Sequence, residues 1–136
     1  MSNITASAIC IAALLLPAQS NSALLRLHNS ERAAKAVEPL ELDHNLCEYA
    51  QKHAESMARR GQLVHSSMSN LSVNAGNGNV AENIAWGQDS EEEVVWSWMN
   101  SSGHRQNIMA KRFKKVGFGS KKDDRGRTYW CAVFSA

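Results

Sequence analysis

No excess of one charge marks this chain. Its 15 Lys and Arg stand against 13 Asp and Glu, a formal net of +2, too weak an electrostatic footprint for a nucleic-acid binder. Lys111, Arg112, Lys114 and Lys115 do cluster, and read as a solvated rim. Nor is there an apolar run of the about 20 residues that a bilayer crossing takes. The stretch from Ile9 to Leu16 is too short for that, yet it has the length of a leader core and is followed by small residues through Ala23. No Lys or Arg precedes it, so the usual positive start of a leader is missing and a membrane anchor stays open beside export. Cysteine is scarce: of three, Cys10 falls in the leader, leaving Cys47 and Cys131 either as a pair or as two separate buried thiols. No internal repeat appears. What remains is enough for one core, since 136 residues that are 43% hydrophobic and include four tryptophans fit a single domain. The reading is a signal peptide over residues 1–22 and a domain over 23–136, with no stable membrane insertion once the leader is removed.

Past the leader, Leu24, Leu25, Leu27 and His28 open an amphipathic helix to Ala36 that halts before Pro39. Asp43 is placed to cap a second helix with Leu46, Ala50, Ala54 and Met57 on one face, and Gly61 after Arg59 and Arg60 stops it. Leu63, Val64 and His65 read as a short extended piece, and the polar run from Ser66 to Asn79 as a surface loop. A strand from Val80 to Trp86 comes next. Ser90 and Glu93 form a capping box for a third helix with Val94, Val95, Trp98 and Met99 on its apolar side. His104 to Met109 makes a further turn or two, and Val116 to Gly119 with Thr128 to Phe134 reads as a closing hairpin tipped near Gly126. Helices around a few strands make an α+β domain, with helices covering a small, mainly antiparallel sheet.

Four segments in this order, and a closing fifth, resemble one family. "LHNSERAAKAVEPLELDHNL", carried by His28, Asn29 and Arg32, is similar to the opening of the CAP superfamily, which groups cysteine-rich secretory, antigen 5 and pathogenesis-related proteins. "LVHSS" resembles its segment with a histidine after the second helix, here His65, and "AENIAWG" its Gly-Glu-Asn-Ile segment, with Ala81 in the glycine place and Glu82 in the carboxylate place. "VVWSWMNSSGHRQNIMAKRFKKVGFG" is similar to the bacterial-style ending with Gly-His before a Gly-x-Gly strand, and "YWCAVF" to the last strand.

The resemblance implies a three-layer α-β-α sandwich with a central cleft. Its cleft histidines fall on His65 and His104 and its first glutamate on Glu82. A second family glutamate, three residues after the third helix's tryptophan, falls on Ser101, so one carboxylate stands where many relatives have two. Two imidazoles and a carboxylate suit a divalent cation with an open position, which makes zinc or another divalent cation the implied cofactor, held by His65, His104 and Glu82. The same three groups also satisfy one another by hydrogen bonding.

The resemblance and the residues together point to a secreted, extracellular, monomeric and non-catalytic binding module. Its cleft of His65, Glu82, Ser101 and His104 would take a divalent metal, a lipid- or sterol-like molecule, or a protein partner. A metal-dependent hydrolase on the same residues and a structural or adhesive domain without ligand stay open beside it. His28, Asn29 and Arg32 read as scaffold, with Arg32 reaching backbone carbonyls and Asn29 closing a neighbouring turn. His44 and His53 read as satisfied or surface imidazoles. Trp86, Trp96, Trp98 and Trp130 are expected mostly in the core, an exposed one being a candidate to line a lipid groove.

Overall fold

A computed structural model describes the backbone of residues 5–75 and 79–136. The side chains of 5–16 and of 74 lie outside the described residues, as do residues 1–4, and with them part of the expected leader and the Cys10 side chain. Helix α1 (Thr5–Ala33) runs through Pro17 and across the expected leader boundary as one element. It stops three residues short of Ala36, which instead takes φ 54°, while the Val37 amide donates to the Arg32 carbonyl at 2.9 Å. That is a left-handed helix cap, closed before Pro39 is reached.

Helix α2 (His44–Arg60) has the expected ends. The Asp43 carboxylate accepts from the Leu46 amide at 2.9 Å, and Gly61 at φ 63° supplies the left-handed residue that an L side chain would resist. Its apolar stripe of Leu46, Ala50, Ala54 and Met57 is buried. Residues 63–65 are connecting coil, and the expected loop after them folds in part. Met68–Ala75 is helix α3, because Leu71 and Ala75, four apart, bury against the α2 side of the sheet, while the Ser67 carbonyl and hydroxyl accept from the Leu71 and Asn70 amides. Polar composition hid a two-residue apolar stripe.

The sheet has the order β1-β3-β4-β2, from β1 (Glu41–Leu42), β2 (Val80–Trp86), β3 (Lys115–Lys122) and β4 (Thr128–Ser135). β4 pairs antiparallel with both β3 and β2, and the two-residue β1 adds parallel to β3. Gly126 at φ 82° turns the β3–β4 hairpin as expected. Strand alternation gives β4 two buried faces. Trp130, Ala132 and Phe134 join the cluster under α1 and the helices α4 (Glu91–Met99) and α5 (Ser102–Met109), whereas Tyr129, Cys131 and Val133 join the cluster under α2 and α3. This is the α-β-α sandwich. Ser90 caps α4 by accepting from the Glu93 amide at 3.1 Å, and the Glu93 carboxylate reaches back to the Asp89 amide at 3.0 Å. No described helix is long and apolar enough to cross a membrane.

The three opening residues are scaffold. The Arg32 guanidinium, fully buried, donates to the carbonyls of Glu38 and Ile108 at 2.7 Å and of Ala110 and Phe113 at 3.1 Å. Asn29 pairs with both backbone groups of Leu40. His28 is buried among Trp98, Phe118 and Phe134; its Nδ1–H donates to the Leu24 carbonyl at 2.7 Å, and its Nε2 has no partner.

Burial pushes the His28 pKa down to about 4, since protonation would strand a charged N–H among aromatic rings. A base whose folded value lies below its unfolded one gives stability that is complete above the unfolded value and lost as pH falls toward the folded one. Stability is therefore expected to drop by about 3 kcal/mol between about pH 6.5 and 4 from this group alone. Thermal melts across that range check it, with His28→Phe expected to flatten the dependence.

Candidate functional site

Strand β2 lies at the edge of the sheet, and consecutive residues on it serve opposite layers. Glu82 points to the α2 side and Asn83 to the α5 side, so residues from both layers meet across this edge. The Glu82 side chain is almost wholly buried, yet no Lys or Arg pairs with it among the described residues. Its charge is met by hydrogen bonds instead. Oε1 accepts from His65 Nδ1 and from the Ser66 amide, each at 2.9 Å; Oε2 accepts from the Ser66 hydroxyl and, more distantly, from the Cys131 thiol at 3.8 Å. A carboxylate oxygen accepts, so His65 turns an Nδ1–H toward Glu82, and in the neutral ring this leaves Nε2 as an acceptor. The ring is 62% exposed.

Ser66 and Cys131 are partners that sequence reading missed. Ser66 is simply the neighbour of His65, a visible signal in "LVHSS". Cys131 arrives through the β2–β4 register, which sets it opposite Ile84, two residues from Glu82. Burial and the Glu82 charge push its thiol pKa well up, so it stays a protonated donor. Cys47 is separate, half-buried, with its sulfur accepting from the Phe118 amide at 3.5 Å, and both thiols are free. His53 is satisfied, as expected, but not idle: its Nε2–H donates to the Val64 carbonyl at 2.7 Å and pins the segment that presents His65, standing 3.9 Å from Glu82 Oε2. His44 lies on the surface facing Glu48.

From the other layer comes His104, in the first turn of α5. Asn83, fully buried, donates to the His104 carbonyl at 3.1 Å and accepts from Asn107 at 2.9 Å, which ties α5 to β2 one residue from Glu82. Burial first, and the charge of His65 second, hold the His104 pKa below the usual histidine range. Ser101 stands at the N-cap of α5 with no side-chain cap bond, and no hydrogen bond joins it to His104.

A metal fits this arrangement poorly. Among the described residues no three His, Cys, Asp or Glu side chains come together as a group able to hold an ion, and the Glu82 oxygens already face protein donors. The ligand set of His65, Glu82 and His104 is thus not ready-made. Of the tryptophans, Trp98 and Trp130 are core, but Trp86 and Trp96 are not, at 39% and 69% exposed. Residue type alone does not say which side of an element faces water. Arg127 covers Trp86 at 4.1 Å from its ring.

The family described as CAP, the cysteine-rich secretory protein family, matches residues 25–134. The chain is 34% identical to the uncharacterized protein YkwD of Bacillus subtilis over 71% of this chain and 40% of that protein. It is 32% identical to pathogenesis-related protein 1 of Arabidopsis thaliana over 69% of this chain and 55% of that one. The chain thus spans about half the length of the curated relatives it matches. Among solved structures, an extracellular SCP-domain protein of Bacillus anthracis superposes with a TM-score of 0.74 at 22% identity, covering 86% of this chain and 40% of that one.

Proposed function

The chain belongs to the CAP, or cysteine-rich secretory protein, family, and from that premise we propose that it is a secreted, non-catalytic binding module whose cleft over β2 grips a hydroxyl- or amide-bearing guest. The observation that carries the reading is the Glu82 carboxylate. By taking the Nδ1–H of His65 it leaves an outer ring nitrogen as an acceptor on an exposed side chain. His104, its pKa held below the usual histidine range by burial, adds an imidazole of its own to the cleft. Neutral acceptors suit a guest's O–H or N–H; an anionic head would find no charged donor here. A lipid hydroxyl and a peptide amide offer the same chemistry. Secretion rests on the family and on the extracellular protein of the same fold.

Histidine-resolved NMR tests the reading on the full chain. His65→Asn is expected to raise the pKa of His104, since the His65 charge lowers it; an unmoved His104 would show that the two rings share no cleft. N-methylacetamide and a long-chain alcohol should each shift both rings saturably. Zinc titration calorimetry separates the alternative. Equal heats for the full chain, His65→Ala and His104→Ala fit the reading, whereas zinc uptake lost in both variants, with peptide or ester turnover, would replace it by a metal-dependent hydrolase.

A further inference from the structure

We infer that two copies of this chain associate through the outer ridge of α4, in a two-fold pairing that lays the acidic end of each over the basic end of the other. Glu92 and Trp96 lie one turn apart on the face of α4 away from the buried Val94, Val95 and Trp98, and Met99, partly buried against that same core, follows at the end of the stripe. Trp96 is 69% exposed and, unlike Trp86, is stacked by no ring or cation among the described residues. A large aromatic surface left in water is the residue type that anchors interfaces. Beside it opens a groove of ≈ 490 Å³ lined by Gln88, Glu92, Glu93, Trp96 and Ser97.

The other end of the ridge is its electrostatic complement. Val37, Met99 and Met109 line a second groove of ≈ 440 Å³, and Lys35, Arg105 and Lys111 stand on its rim against the single acid Glu31. Two acids, Glu92 and Glu93, stand at the start of the ridge and three cations at its finish. Among the described residues none of these five takes part in an ion pair. A patch with opposite charge at its two ends and an apolar middle is complementary to itself, because a two-fold axis through the middle turns it end for end. A second copy meets both ends at once, and it is the occupant inferred here in place of the expected monomer.

Sedimentation equilibrium of the full chain tests the pairing. A reversible monomer–dimer equilibrium that weakens with added salt is expected, with Trp96→Ser raising the dissociation constant by about tenfold or more. Glu92→Lys and Lys111→Glu should each weaken self-association to a similar degree. Mixing those two variants should restore it, since in the mixed pair the two introduced charges oppose each other at one contact and the two native charges at the other. A chain that stays monomeric at the highest concentration, an association indifferent to Trp96→Ser, or a mixture no tighter than its separate variants would each overturn the inference. All three substitutions are at exposed positions, and unchanged circular-dichroism melts confirm that folding is intact.

Discussion

Gly117→Ala is expected to cost about 3 kcal/mol or more and to lower the melting midpoint by about 10 °C. The reason is the seat of α2 on the sheet. β3 turns Val116 and Phe118 toward the α1 side and its two glycines toward α2. A Cβ built on Gly117 would meet the Leu46 carbonyl carbon at 2.1 Å and the Cys47 amide nitrogen at 2.2 Å, and one on Gly119 would meet the Gln51 amide at 2.3 Å. These are backbone atoms of a helix, not the tips of flexible side chains. No rotamer change relieves the overlap, so the helix must lift, opening the contacts of Leu46, Ala50, Ala54 and Met57 together. Gly119→Ala should behave alike. Gly103→Ala is the control: nothing lies within 4 Å of its added methyl, so the better helix propensity of alanine should leave stability unchanged or slightly raised. Chemical denaturation of the three variants checks the set.

Arg32→Met comes next, at about 4 kcal/mol lost. Methionine fills much the same apolar volume, so the cavity is small; the cost lies in the four carbonyls of Glu38, Ile108, Ala110 and Phe113, left in the interior without a donor. An unsatisfied buried acceptor costs about 1–3 kcal/mol, partly relieved by local opening. Arg32→Lys should recover little, because one ammonium does not span the fork that three guanidinium nitrogens occupy here. Urea unfolding of both variants decides the matter, and a Lys variant as stable as the parent would show that charge alone, not planar geometry, is required.

These expectations indicate which parts of the fold were legible in the sequence. The caps at Asp43, Gly61 and Ser90 were, because a cap is made by residues within a turn of each other. The role of Arg32 was legible in kind, since the Glu38 carbonyl lies six residues on, but its other carbonyls, those of Ile108, Ala110 and Phe113, come from 76 or more positions away and no local pattern names them. Helix α3 was not: its sequence is polar, and it is held by burying Leu71 and Ala75 against strands distant in the chain. β1 is a two-residue ladder that exists only because β3 offers an edge. At the site, spacing alone would not have joined His65 to Glu82 across 17 positions; the resemblance to a family did. It could not supply the details that decide the chemistry, namely that Ser66 and Cys131 complete the carboxylate's shell and that Glu82 is consequently ill-placed to serve a metal.

The strand order has a bearing on how the molecule is made. β4, last of the four to be synthesised, occupies an inner position between β3 and β2, so β2 has no ladder partner until residues 128–135 are available. Most pairing in this sheet must therefore wait for distant sequence, which slows the search for the native state. A ribosome-bound chain halted before Thr128 would lack the sheet's middle and leave Glu82 without the thiol of Cys131. Until the last strand is available the sheet cannot close, and both of its helical layers lack the surface they pack on.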